Sequence, residues 1–310
     1  MELIRGLHNL RPKHQGCVTT IGAFDGVHHG HQAVLQQLIA KGRELDLPTT
    51  VVVFEPLPRE YFAPLQAPAR LMSFREKFQA FKALGIDRVL RIRFTASFKE
   101  MGAKEFIHKV FVEGLGARYI IVGDDLRFGR NRDGDFDLLK SQGCVHGFDV
   151  VATSTLKIKD DRVSSTRIRM ALEQSDFELA EILLGQPYSI AGRVIMGQQL
   201  GRQLDAPTAN IDLCRLRAPM SGVYAVEVEI DQQTLFGVAN VGSRPTVDDS
   251  LKAILEVHIL DFDKDIYGKK IKVIFRKKIR DEKKFDAVDQ LKQQIHKDIK
   301  IGRQYLSAPV

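Results

Sequence analysis

The densest group of chemically capable residues is Thr20 to His31, TIGAFDGVHHGH. Glycines at 22, 26 and 30 let backbone approach a ligand closely, and His28 and His31 fall one helical turn apart where a strand-like run meets a helix-like one. Two imidazoles beside the free N–H groups of a helix start can donate to triphosphate oxygens and stabilise charge that develops at phosphorus. A surface HxxH without a ligand is the plain alternative. Zinc is disfavoured, because neither an HExxH glutamate nor a nearby cysteine supplies the missing ligands.

Four further groups stand out. In VSSTRIR (Val163 to Arg169) three hydroxyls precede a helix, where they either cap it or hold phosphate with a neighbouring arginine. Asp124 and Asp125 follow a strand and precede a glycine loop, which fits either a charged turn or an adenosine contact. In Pro207-Thr208-Ala209-Asn210 the two polar side chains are two residues apart, so an extended segment turns both to one side. That pair is either a polar turn or a set of oxygen donors for Mg²⁺ held largely by phosphates and water. Glu256 interrupts the apolar run ILEVHIL, and alternation places it with His258 and Leu260, opposite Leu255, Val257 and Ile259. It is either a solvent-facing acid or a general base for an attacking alcohol.

These residues need a frame to bring them together. Through about Leu184 the chain alternates strand-like and helix-like segments. Strands are expected near Cys17 to Ala23, Thr49 to Phe54, Asp87 to Phe94, Arg118 to Gly123 and Phe148 to Ala152. Helices are expected over Gln32 to Glu44, Arg75 to Leu84, Ala103 to Leu115, Asp135 to Lys140 and Ser165 to Leu184. Such alternation implies a mostly parallel sheet with ligands at the carboxyl ends of its strands. Near Gly185 to Pro187 a helix ends at glycine and the apolar period changes from 3.6 to 2. Short strands follow, from Ser189 to Ile195 through Lys270 to Lys278, then a helical tail with Val288, Leu291, Ile295 and Ile299 on one side. An antiparallel barrel or sandwich crossed by a terminal helix is expected, with domains at 1–184 and 185–310.

The 310 residues suit two domains. The 46 Lys and Arg exceed 39 Asp and Glu, but the excess is spread along the chain. Only RKKIRDEKK is dense, and two acids interrupt it. The balance fits handling of phosphorylated small molecules better than a nucleic-acid surface, and the absence of Trp leaves few rings for stacking on RNA. No long apolar stretch or signal-like start is present, and three scattered cysteines support neither a disulfide framework nor a zinc site. A cytoplasmic protein bound neither to nucleic acid nor to membrane is expected.

The stretch GAFDGVHHGH resembles the (H/T)xGH signature of nucleotidylyltransferases, and in its longer form the bacterial bifunctional riboflavin kinase/FMN adenylyltransferase (FAD synthetase) family. FEPLPREYF, GDDLRFGRNRDG and VSSTRIR follow in the family's order, and GRQLDAPTANI, GVYAV, GVANVGSRPTV, LEVHILDFDKDIYG and IRDEKKF resemble its kinase half. The resemblance implies a Rossmann-like α/β nucleotidylyltransferase domain, then an antiparallel β-barrel riboflavin kinase domain with a C-terminal helix. It implies phosphorylation of riboflavin to FMN and adenylyl transfer to FMN giving FAD and pyrophosphate, with ATP as co-substrate and Mg²⁺. By position it implies His28, His31 and Glu256 as catalytic, and Gly22, Phe24, Asp25, Gly30, Asp124, Ser165, Thr166, Arg169, Gly197, Gly201 and Arg202 around ATP. Phe54, Pro56, Pro58, Phe62 and Arg280 would face flavin, and Thr208 and Asn210 the metal. Three departures bear on these roles: Leu126 stands where the family has an aromatic, Asp205-Ala206 where it has Gly-Phe, and Val247 where an aromatic follows RPT.

Overall fold

The computed structural model describes residues 1–197, 206–245 and 251–308, and the chain divides into two compact units. One comprises Met1–Ala67 with Phe74–Ser164, the other Pro68–Ser73 with Ser165–Val310. Gly201, Arg202, Asp205 and Val247 lie outside the described residues.

In the first unit β1 (Glu2–Arg5), β2 (Cys17–Ile21), β3 (Thr49–Phe54), β4 (Arg88–Ile92), β5 (Ala117–Gly123) and β6 (Asp149–Thr153) form one sheet. Its order is β1-β4-β3-β2-β5-β6, and every pairing is parallel; after β6 a short antiparallel ribbon pairs β7 (Lys157–Ile158) with β8 (Asp161–Arg162). Helices α1 (His29–Glu44), α2 (Pro58–Phe62), α3 (Phe74–Leu84), α4 (Ala96–Glu100), α5 (Ala103–Phe106) and α6 (Phe136–His146) lie in the connections. Strand β2 is buried at every residue and β3 at all but its last, as expected for parallel strands covered on both faces. Ile107–Gly114 continues α5 with π-helical bonding, and its Ile107, Val110 and Phe111 join Val52, Leu90 and Ile120 in the core. Strand β1 is an edge strand that the sequence pattern does not mark.

The strand order decides where a ligand can sit. From β2 the chain moves outward through β3 and β4, then returns to place β5 on the other side of β2. That reversal is the switch point where the loops after β2 and β5 diverge and open a crevice. Gly22 to His28 leaves β2 there, and Asp124 leaves β5.

The second unit begins with α7 (Ser165–Glu173) and α8 (Phe177–Leu184). Strands β9 (Ser189–Ile195), β10 (Ala209–Asp212), β11 (Gly222–Ile230), β12 (Gln233–Pro245), β13 (Leu251–Ile259) and β14 (Lys270–Arg280) close a barrel in the order β10-β13-β12-β11-β14-β9. All its pairings are antiparallel, and α9 (Val288–Leu306) packs on β11 and β12. Inward alternation buries Tyr224, Val226, Val228, Leu255, Val257, Val273 and Phe275. A side chain at Gly302 would run into Val238, so glycine lets α9 lie close on β12.

The packing division falls one helical hairpin before the 184/185 boundary read from periodicity. Asp176 caps α8 through the Leu179 N–H and Gly185 ends it in the left-handed region, yet Phe177 rests against Tyr224 and Phe275 of the barrel. Periodicity locates the end of a helix and says nothing of which core its apolar face joins. Residues Pro68–Ser73 belong to this unit for a similar reason: buried Arg215 donates to the Arg70 and Leu71 carbonyls, and Arg169 Nε to the Ala69 carbonyl. A fragment starting at Ser165 should therefore melt at least about 5 °C above one starting at Leu184. Burial of Ala180 and Leu183, with Phe177 half-buried against the barrel, contributes roughly 2 kcal/mol or more, and each kcal/mol moves the midpoint by about 4–8 °C in a small domain. Equal melting temperatures would show that α8 adds nothing to the barrel.

Candidate active sites

The loop after β2 builds its geometry from local chemistry. Phe24 (φ 47°) and Val27 (φ 42°) are left-handed, and Gly26 (φ 91°) joins them in a tight reversal that ends at α1. His28 is the N-cap of α1: its Nδ1 accepts from the His31 N–H at 3.3 Å. That bond leaves the proton of the neutral ring on Nε2, so the cap also sets the tautomer. The His28 and His31 rings stack at 3.7 Å between centroids and 16° between planes, and Phe24 lies 5.1 Å from His31. A methyl at Gly30 would press on His28 at 3.2 Å and one at Gly22 on the Phe24 ring at 3.0 Å.

Two rings this close cannot both carry charge at low cost, and the surroundings reinforce the point. Burial pulls His28 down from 6.5 to about 4, with Asp25 opposing. Burial, then the charges of His28, Lys77 and Arg162, hold His31 well below its ordinary value. Both imidazoles are neutral at pH 7, and His28 in this state is an N–H donor beside a helix N-terminus. The sign for folding follows: the stabilising effect of a neutral buried His28 is full above about pH 6.5 and is lost as pH falls towards 4. His31 Nδ1 is buried and meets no hydrogen-bond partner.

The other residues expected to act with this loop stand at separate places. Phe24 and Asp25 are buried, Phe24 against Phe81 edge-on at 5.5 Å, so they shape the loop from beneath. Asp124 is exposed, accepts from Thr155 Oγ1 at 2.7 Å and lies 3.7 Å from Arg162, which also pairs with Asp125 at 2.7 Å. Phe54 and Phe62 meet through Phe94, at 5.4 and 5.6 Å, and Tyr61 joins them. Phe62 is 57% exposed, and with Phe94 it forms an aromatic wall beyond the end of β3; Pro56 precedes α2 and Pro58 opens it. Leu126 packs onto the same core cluster as Phe54. Ser165, Thr166 and Arg169 stand on the first turns of α7, and Arg169 is engaged by the Ala69 carbonyl.

In the barrel, register assembles the second group. Asn210 of β10 and Asn240 of β12 both lie directly opposite Glu256 of β13, so three polar side chains share one face of three adjacent strands. His258, two residues on, donates from Nδ1 to the Pro207 carbonyl at 2.9 Å, which ties the Thr208 segment to β13. Gly197 approaches so closely that a methyl there would overlap the Asn210 carboxamide. Glu256 is half-buried, and neighbouring Leu255 and Val257 point into the core. A hydroxyl, a carboxamide and a carboxylate are the hard oxygen donors that Mg²⁺ accepts, so this set fits that ion.

Arg280 is held by the terminal helix. Its Nε bonds both oxygens of buried Asp298 at 3.0 Å, its Nη2 one of them at 2.8 Å, and Gln294 also donates to Asp298. This fork ties β14 to α9. Among the residues that the sequence reading passed over, Asn240 had a signal, a lone polar residue in GVANVG. Lys77 and Arg162 had none, since an isolated basic residue reads as a surface group until the fold is known.

The family sequence model described as FAD synthetase matches residues 10–167, and that described as riboflavin kinase matches residues 184–306. The chain is 51% identical to a bifunctional riboflavin kinase/FMN adenylyltransferase of Pseudomonas fluorescens, with 100% of this chain and 99% of the relative covered. Relatives with the same description in Escherichia coli (48%, covering 98% of both chains) and Haemophilus influenzae (46%, covering 99% and 100%) are also similar over their full length. In three dimensions the chain resembles a crystal structure described as a macrolide-efflux protein from Streptococcus pneumoniae. The identity is 31%, the TM-score 0.76 and the coverage 97% and 98%.

Proposed function

We infer that this chain, which belongs to the bifunctional riboflavin kinase/FMN adenylyltransferase family and so phosphorylates riboflavin and adenylates FMN, runs its two reactions at two separate groups of residues. The observation that carries the kinase assignment is the register that sets Asn210 and Asn240 on either side of Glu256. Glu256 takes the proton of the riboflavin 5′-hydroxyl as that oxygen attacks the γ-phosphorus of ATP, and the bond to ADP breaks. Thr208 and Asn210 would hold Mg²⁺, which supplies neutralisation of phosphate charge when bound with the nucleotide. Gly197 gives the room that Asn210 needs, and Gly201 and Arg202 are assigned to the phosphate loop by motif alone. Arg280 keeps its proposed place at the flavin side by motif, with its guanidinium oriented by Asp298.

In adenylyl transfer an FMN phosphate oxygen attacks the α-phosphorus of ATP, and the bond to the departing pyrophosphate breaks. His28, with its proton on Nε2, donates to phosphate oxygens as charge builds, and His31 acts beside it. Gly22 and Gly30 keep that space open. Asp124 is assigned to adenosine, and Ser165, Thr166 and Arg169 to ATP phosphates. Phe54, Pro56, Pro58 and Phe62 offer an apolar wall suited to an isoalloxazine ring. The functional division at 1–184 and 185–310 is supported by family matches that end at 167 and resume at 184. A cytoplasmic setting, with ATP and flavins as the partners, fits three free cysteines.

The test is a time course of purified protein with riboflavin, ATP and Mg²⁺, resolved by chromatography. FMN with ADP should rise first, then FAD with pyrophosphate, and a chelator should stop both. Salt-dependent retention of RNA without flavin-dependent consumption of ATP would overturn the assignment.

A further inference from the structure

Lys77, on the α3 face turned to the core, is fully buried, and its Nζ donates to the Ala23 carbonyl at 3.1 Å. Ala23 opens the reversal in which Phe24 and Val27 hold left-handed backbone, a costly conformation for an aromatic and above all for a β-branched residue. Such a turn persists only where its surroundings hold it. The contact therefore falls at the base of the loop that presents the stacked imidazoles. An ammonium group in a fully buried position also costs more free energy than a neutral side chain of similar length, so packing alone gives no reason for lysine.

The charged and titratable groups that act on His31 are His28 at the start of its helix, Lys77 from α3 and Arg162; those that act on His28 are Asp25, Arg162 and His29. Lys77, His28 and Arg162 all act on His31 in the direction that disfavours its protonation.

We propose that Lys77 is a positioning residue of the adenylyl-transfer site, which ties Ala23 so that the loop presents Phe24, His28 and His31 in their stacked order. The inference rests on the assignment of that loop to adenylyl transfer.

Three variants separate the tie to Ala23 from the charge. Lys77→Gln keeps a donor for Ala23 and removes the charge, Lys77→Arg keeps the charge and alters the donor, and Lys77→Met removes both. FAD formation from supplied FMN should fall in kcat by about a hundredfold in Lys77→Met, the scale set by misplacement of catalytic groups. Riboflavin phosphorylation should be unchanged in the same preparation. The His31 ring resonances in Lys77→Gln should titrate at higher pH than in the wild type, and those in Lys77→Arg should not move. A residue that merely filled space would leave that ordering flat. If Lys77→Met does not fold, the Gln and Arg variants carry the test. Wild-type kcat in a folded Lys77→Met would overturn the proposal, and where that variant does not fold, so would a kcat in Lys77→Gln as low as that of His28→Ala. His28→Ala, run alongside, keeps the two readings apart: if it too makes FAD at the wild-type rate, the loop assignment fails and not only the role of Lys77.

Discussion

Glu256→Gln is expected to lower riboflavin phosphorylation by about a hundredfold to ten-thousandfold, the usual contribution of a general base, while the same preparation supplied with FMN makes FAD at the wild-type rate. The amide has nearly the same shape and still hydrogen-bonds, so Asn210 and Asn240 keep their neighbour across the ladder. It cannot accept a proton. The loss should therefore appear in kcat, with little change in KM for riboflavin or ATP. Retained FAD synthesis serves as an internal check on folding. Near-normal phosphorylation would send the search for the base elsewhere, and the structure narrows it. Asp261 is held by Arg303 through two bonds, at 2.7 and 2.9 Å, which lowers its carboxyl and blunts it as a base. Asp263 would be the next to replace.

For His28→Ala, FAD formation should drop about a hundredfold to a thousandfold, as expected on loss of a donor to a charged transition state, with riboflavin phosphorylation intact. The same change removes the N-cap of α1, which costs about 1 kcal/mol of stability. His28→Asn separates the effects, because its carboxamide restores the cap without an imidazole at the phosphates. FAD formation should stay low in both variants, and only His28→Ala should melt earlier. Recovery of activity in His28→Asn would mean that the residue serves catalysis solely by starting the helix. The two variants, Glu256→Gln and His28→Ala, should thus show opposite losses within one polypeptide.

Most elements of the fold are legible from the pattern of side chains. Thr49–Phe54, Ser189–Ile195 and Gly222–Ile230 begin and end where the periodicity places them, because burial on one or both faces writes itself directly into residue type. The loop Gly22 to His31 is legible for a related reason, since tight backbone and paired imidazoles require particular residues. The edge strand Glu2–Arg5 is not: it is short, and of its four residues only Ile4 is buried.

What the sequence by itself determined is the identity and order of local pieces: the glycine and histidine loop between a strand and a helix, the polar pair in PTAN, the lone acid on an apolar strand, and the change of period near Gly185. Those depend on neighbours along the chain. What only the tertiary structure decided are meetings between residues far apart in sequence: the Asn210, Glu256 and Asn240 row, the Arg280 fork on Asp298, the packing of α8 on the barrel, and the burial of Lys77 beneath Ala23. Strand register and helix docking are set by the sum of many weak contacts across the fold, and a single charged residue carries no mark of which side of that sum it will fall on.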